Sequence, residues 1–164
     1  MVISLSKRNE ESVILLLRER CRRVGVRVKI RISLNKLIEC VALANSGFET
    51  DTPQILTPTN FLLKNRINMK KLRKPETLEY DTAGGPIVMY VYPQACSVHV
   101  VESDKTSQDV VADLVISPIE KEVIMSDALI EELGILIISP RKGFWKFLDD
   151  PPEKIRHSYP KQYW

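Results

Sequence analysis

The apolar and polar positions between residues 24 and 44 predict a pair of β-strands. Apolar residues occupy every second position from Val24 to Leu34, and basic or small residues lie between them. This is the pattern of a strand with one buried face and one solvated face. After a turn at residues 35–36, the segment Leu37 to Ala44 predicts a second strand that pairs with the first. It stops at Asn45-Ser46-Gly47, so we expect this polar triplet where a strand opens into a loop.

Residues 1–23 are expected to form a helical extension ahead of the strands. Asn9 can cap a helix, Glu10 and Glu11 fall in its first turn, and arginines crowd its end before Gly25. Apolar residues at positions 13, 14, 17, 21 and 24 share one helical face. The run Val13 to Leu17 is also compatible with a buried strand, so the helix is the preferred of two interpretations.

Residues 52–74 predict a loop followed by a short helix. Two prolines fall within Thr52 to Pro58, which favours a loop. A helix is expected over residues 59–69, and either Thr59 or Asn60 can cap it. The basic stretch Lys64 to Lys74 is expected on the surface.

Two hairpins are predicted next along the chain. Apolar, β-rich runs at residues 76–80 and 86–92 flank a glycine-rich segment, which predicts a hairpin with a mobile tip. A second hairpin is expected with arms at residues 95–102 and 110–117, around a polar turn.

The closing part of the chain predicts a strand, a capped helix and a last hairpin. Val123 to Met125 is apolar, Ser126 can cap a helix over residues 127–133, and Gly134 suits the end of that helix. Strands at 135–138 and 144–148 are expected to pair, and residues 149–164 are expected to form an irregular tail. Many strands at close spacing predict a mainly β fold with short helices and barrel-like closure.

Length and composition limit how a site can be built. A chain of 164 residues is one domain, so a site that needs two copies of a motif must take the second copy from another chain. The net charge of +3 is too small to argue for nucleic acid. The three cysteines contain no C-x-x-C metal pair and favour a reducing, cytoplasmic location. No apolar run is long enough to predict a membrane span.

The order of these elements matches that of a known family. A strand ending in Asn45-Ser46-Gly47, then Phe48-Glu49, a glycine-tipped hairpin and an apolar strand leading into a capped helix resembles the retropepsin-like, single-domain aspartic proteases. In that family the strand ends in Asp-Thr/Ser-Gly. The segment 79–88 resembles the family's flap, and 115–134 resembles its closing segment. The resemblance implies a closed β-barrel of the acid protease fold over residues 24–148.

The resemblance also implies which residues form the site. Asn45 stands at the position of the catalytic Asp, followed by Ser46 and Gly47. Residues implied near the substrate are Phe48, Glu49, Asp81, Thr82, Ala83, Gly84 and Gly85. Residues implied as structural neighbours of the site are Met125, Ser126 and Asp127, and Ser126 replaces a glycine of the family.

Asn45 conflicts with the usual chemistry of this family. The resemblance implies a homodimer that cuts peptides or proteins with two carboxylates, one from each subunit, which share one proton; this dyad is a general model for aspartic proteases rather than a property of this chain. An amide cannot accept that proton. We therefore expect an endopeptidase fold that is inactive or strongly impaired as written, and an aspartic-type hydrolase if residue 45 is Asp in the native protein. Three explanations for Asn45 remain open: an engineered substitution, a natural non-catalytic relative and, as the least favoured, deamidation at Asn45-Ser46.

Two other functions remain open. The first is a non-catalytic, peptide-binding pseudoprotease with the same cleft. The second, which the mixed charges disfavour, is nucleic-acid binding through basic stretches and a hairpin in which Phe144 and Trp145 stack on bases. Glu49 and Asp51 are more typical of a solvated loop than of a metal pair, and His99 and His157 have no nucleophile at a motif spacing. No metal, no cofactor and no membrane partner are expected.

Overall fold

A computed structural model describes residues 25–164, and the predicted N-terminal helix lies outside them. Within that range the chain forms mainly strands, with two short helices and one 3₁₀ turn at Met69–Lys71. The elements in chain order are β1 (Val26–Ser33), β2 (Leu37–Ala44), β3 (Gln54–Pro58), α1 (Thr59–Lys64), β4 (Glu76–Tyr80), β5 (Ile87–Val100), β6 (Val110–Ser117), β7 (Val123–Met125), α2 (Asp127–Glu132), β8 (Ile135–Ser139), β9 (Phe144–Phe147) and β10 (Arg156–His157).

Six strands close into a barrel. The strand order is β1-β2-β7-β3-β6-β5, and β1 pairs back onto β5 from Ile30 opposite Val100 to Ser33 opposite Ser97. β4 adds to the other half of β5 and extends beyond the barrel. The pairs β2–β7 and β3–β6 are parallel, and the remaining pairs of the barrel are antiparallel. The predicted mainly β fold with barrel closure is confirmed at this level.

The alternation in β1 creates the barrel interior. Val26, Val28, Ile30 and Ile32 are completely buried, while the residues after Val28 that point outwards are partly exposed. Burying each such side chain contributes roughly 1.5–3 kcal/mol. The periodic sequence signal is therefore the signal of the barrel core.

The predicted loop over residues 52–58 is wrong from Gln54 onwards. Gln54–Pro58 is β3, a fully buried strand that runs between β6 and β7. Pro53 precedes the strand and Pro58 ends it, so neither proline has to donate within the middle of the ladder. The two prolines mark the ends of a strand rather than a loop.

Two other local predictions differ from the structure. Residues 87–100 form one long strand instead of two, because a bulge between Tyr92 and Cys96, with Gln94 at φ 48°, bends it without ending it. α1 has no side-chain cap, since the Thr59 hydroxyl donates to the Ser117 carbonyl instead. The predicted helix over 59–69 ends at Lys64, and the 3₁₀ turn follows.

The C-terminal segment packs back onto the barrel. β8, β9 and β10 form a separate small sheet, so the predicted irregular tail contains one short strand. The Tyr159 amide donates to the Arg27 carbonyl, and the Val41 amide donates to Gln162 Oε1 at 2.7 Å. Among residues 25–164, no helix is long and apolar enough to cross a membrane.

Candidate functional site

Asn45 occupies a tight turn at the end of β2. Its amide donates to the Met125 carbonyl at 3.3 Å, and its carbonyl accepts from the Phe48 amide at 3.0 Å. Its side-chain Oδ1 accepts from the Gly47 amide at 3.1 Å. Ser46 and Gly47 are exposed at the tip of the turn. The side chain of Asn45 is thus held by its own loop, as expected where a strand opens into a loop.

The start of α2 is tied to this loop by Asp127. Its backbone amide donates to the Phe48 carbonyl at 3.0 Å, and its Oδ1 accepts from the amides of Thr50 at 2.9 Å and Ala128 at 2.7 Å. Asp127 lies in the first helical turn, where a carboxylate is favoured by the exposed amides. It therefore holds the loop after Asn45 at a fixed distance from the helix.

Ser126 caps α2 as the sequence predicts. Its Oγ accepts from the Leu129 amide at 3.3 Å and also from the Gln54 amide at 3.0 Å, and its own amide donates to the Gln54 carbonyl. The residue is completely buried. The buried serine side chain is accommodated by hydrogen bonds to both α2 and β3.

The β4–β5 hairpin meets this loop at its base. The Tyr80 hydroxyl donates to Gln54 Oε1 at 2.9 Å, and the Tyr80 and Phe48 rings lie 5.9 Å apart. Burial raises the pKa of the Tyr80 phenol above its ordinary value, so the hydroxyl is protonated and can donate at neutral pH.

The tip of the hairpin is closed by its own hydrogen bonds. The Gly85 amide donates to the Thr82 carbonyl, and the Thr82 hydroxyl donates to the Gly85 carbonyl at 2.6 Å. Asp81, Thr82, Ala83 and Gly84 are exposed. Gly85 has φ 107°, a conformation that favours glycine. The tip itself makes no hydrogen bond to the Asn45 loop.

An apolar wall lies where the hairpin meets the barrel, on the opposite face of the sheet from the main core. We define this outer cluster by its buried members Leu56, Met89, Val91, Val115 and Ile124. Leu43 and Phe48, which flank the Asn45 turn, pack against it, and so do Tyr80 and Ile87 of the hairpin. The outer cluster is thus bordered by both the turn and the hairpin.

The structure therefore brings together only part of the predicted site. The Asn45 turn, Phe48 and the segment Met125 to Asp127 form one hydrogen-bonded unit, whereas Glu49 is exposed and makes no side-chain bond within residues 25–164. The sequence analysis missed Gln54, because β3 was taken as a loop, and it placed Tyr80 in the hairpin without giving it a role in the site. The apolar pair Ile55-Leu56, one residue facing each side of a sheet, is the signal that could have indicated a strand there.

Two other candidate residues, Trp145 and His99, lie outside the Asn45 site. Trp145 is completely buried against Phe147, so it cannot stack on a base as the nucleic-acid hypothesis requires. His99 Nδ1 lies 2.8 Å from Asp109 Oδ1, on the outside of the barrel. No group of three metal-ligating side chains occurs among the described residues.

Comparison with models of known protein families finds no match to this chain. Comparison with curated protein sequences finds no match either.

Proposed function

We propose that two copies of this chain form a homodimer with a cleft for an extended peptide, floored by the Asn45 turn of each copy and covered by the two β4–β5 hairpins. The observation that carries this proposal is the joining of three separate segments in one small region. Hydrogen bonds join the Asn45 turn to the Met125–Asp127 junction, and the base of a projecting hairpin rests on the same turn.

The surroundings of the turn suit a peptide. The outer cluster supplies apolar surface for side chains, and β4 is an edge strand whose outer backbone groups have no neighbouring strand among residues 25–164. An extended peptide can pair with such backbone groups, and apolar pockets can then bind alternate side chains. Polar Asn45 and Ser46 lie beside this apolar surface, where a peptide bond would pass.

Asn45 decides whether the cleft binds or cuts. A neutral amide can neither take a proton from water nor exchange one with a second carboxyl group. The loss of general acid–base action alone costs roughly 10²–10⁴-fold in rate. As written, the dimer holds peptides without efficient cleavage. With Asp at position 45 the cleft becomes an aspartic-type endopeptidase. The Gly47 amide, which donates to Asn45 Oδ1, would then stabilise the ionised carboxylate of Asp at this position.

The test compares the unmodified chain with Asn45→Asp on β-casein, an unfolded substrate, between about pH 3 and 7. Asn60→Asp is the matched control, since it makes the same chemical change at an exposed position of α1. We expect cleavage by Asn45→Asp alone, and a dimer for all three proteins in sedimentation.

Two outcomes separate the functions. If all three proteins are dimers that bind labelled β-casein and none cuts it, the peptide-binding function stands and the protease function falls. If sedimentation shows only monomers and no binding, the shared cleft falls with both functions.

A further inference from the structure

Gln54 is a buried polar residue on the face of β3 that the hairpin covers. It is 5% exposed. Its neighbour Ile55 contributes to the main core, whereas Leu56 contributes to the outer cluster. Because side chains alternate along a strand, Gln54 lies on the same face as Leu56. Its carboxamide therefore lies at the border of the apolar wall of the proposed cleft.

Only half of this carboxamide is used within the chain. Its Oε1 accepts from the Tyr80 hydroxyl at 2.9 Å. Its Nε2 donates to no group within residues 25–164, and it is not among the polar atoms that are shut off from solvent. This donor therefore reaches solvent and is open to an acceptor from outside the chain.

Two neighbouring acceptors bond to other donors instead. Asp113 lies opposite Gln54 in the β3–β6 register, but its Oδ1 accepts from the Gln94 amide and its Oδ2 from the Thr52 hydroxyl. Ser126 Oγ, which accepts from the Gln54 backbone amide, also accepts from the Leu129 amide. Since Tyr80 fixes one end of the carboxamide, the free Nε2 cannot turn away without breaking that bond.

We propose that Gln54 Nε2 donates a hydrogen bond to a main-chain carbonyl of the peptide bound in the cleft, with Tyr80 as the residue that positions it. This inference rests on the proposed function and deepens it. An extended peptide presents a carbonyl at every residue, so a neutral donor of this kind fixes the position of the peptide without selecting its side chains.

A simpler role for Gln54 is to anchor Tyr80, and two substitutions separate the roles. Tyr80→Phe removes the anchoring bond but leaves the Nε2 donor. Gln54→Met removes both and keeps a side chain of similar length. If Gln54 only anchored Tyr80, the two substitutions would have equal effects on peptide binding.

Each substitution is made in two backgrounds. In the Asn45→Asp protein, cleavage of β-casein is measured. In the chain that keeps Asn45, binding of labelled β-casein is measured. We expect Gln54→Met to raise KM and the dissociation constant about tenfold, with kcat nearly unchanged, and Tyr80→Phe to change them about threefold or less. Gln108→Met is the control, because among residues 25–164 the side chain of this exposed glutamine bonds only to the Glu132 carbonyl. Thermal unfolding of each variant shows whether it is folded at the assay temperature.

The outcomes distinguish this inference from the proposed function. If the parent proteins bind β-casein and the Gln54→Met and Tyr80→Phe variants bind it with equal affinity, the donor role of Gln54 is wrong and the cleft stands. If the folded parent proteins neither bind nor cut, the cleft is wrong and the role of Gln54 falls with it. A tenfold loss confined to Gln54→Met supports the proposal.

Discussion

Ser126 and Gln54 hold each other through two hydrogen bonds. The Ser126 amide donates to the Gln54 carbonyl at 3.1 Å, and the Gln54 amide donates to Ser126 Oγ at 3.0 Å. This pair joins the start of β3 to the start of α2, two segments that are 72 residues apart in the chain. The Asn45 turn is bonded to the same junction through Met125, so the pair supports the floor of the proposed cleft.

The first prediction concerns this pair. Ser126→Ala removes the cap of α2 and leaves the buried Gln54 amide without an acceptor. We expect the free energy of unfolding to fall by about 2–3 kcal/mol. Urea unfolding followed by tryptophan fluorescence measures the change. Ser46→Ala, at the exposed tip of the Asn45 turn, should change it by less than about 0.5 kcal/mol. Equal losses for the two variants would show that Ser126 contributes nothing through these bonds.

The second prediction concerns the dimer. In the proposed dimer, the two facing Asn45 amides would not titrate, so the dimer dissociation constant of the unmodified chain should be flat between about pH 4 and 7. In Asn45→Asp, the proximity of two carboxyl groups raises one pKa in the dimer above its monomer value. The added stability is then present at low pH and is lost as the pH rises through the raised pKa.

Sedimentation across this pH range tests the dimer prediction. Asn60→Asp should behave like the unmodified chain, because its carboxylate is exposed on α1. A steep pH dependence in the unmodified chain that disappears in Asn45→Ala would contradict it.

The third prediction concerns an ion pair that fastens β10. Arg156 Nε donates to Asp150 Oδ2 at 2.8 Å, and both residues are at least nine-tenths buried. The Arg156 hydrogen bond is the main cause that lowers the pKa of Asp150 below its ordinary value of 3.8. A lowered pKa in the folded state gives stability that is present above the unfolded value and is lost as the pH falls towards the folded value.

Asp150→Asn should therefore lower the free energy of unfolding at neutral pH by about 2 kcal/mol. Below about pH 4, the free energy of unfolding of this variant should depend less on pH than that of the unmodified protein. Acid titration of urea midpoints measures both effects. Asp51→Asn, at an exposed carboxylate, is the control. Identical acid profiles for Asp150→Asn and the unmodified protein would rule out this contribution.

The fourth prediction concerns the C-terminal segment. The Trp164 ring packs edge-on against the fully buried Phe61, with ring centroids 4.9 Å apart, and its amide donates to the Lys121 carbonyl. Because the ring is half-buried against the core, Trp164→Ala should cost about 2 kcal/mol, less than a fully buried aromatic residue. Tyr163→Ala removes an exposed ring and should cost under about 0.5 kcal/mol. Urea unfolding separates the two, and equal costs would mean that the ring does not stabilise the barrel.

Local signals in the sequence predicted several elements correctly. The alternation in β1 and β2 places the barrel core, and Ser126 caps α2 where a cap was expected. Local signals failed at β3, because two prolines close together are typical of a loop. Only the pairing of β3 with β6 and β7 shows that these prolines lie at the ends of a buried strand. In the candidate site, the Asn45 turn was found from its motif, whereas Gln54 and Tyr80 were not.

By itself, the sequence determined the mainly β character of the chain, the buried face of its first strand, the cap of α2 and the place of the Asn45 turn. These depend on side-chain periodicity and on hydrogen bonds between near neighbours, which a short stretch of residues specifies. Only the tertiary structure decided which strands close the barrel and which groups surround the turn. The contacts of Gln54 with Tyr80 and Ser126, and of Asp127 with Thr50, span 26, 72 and 77 residues. Such contacts arise from strand register and packing, which no local pattern encodes.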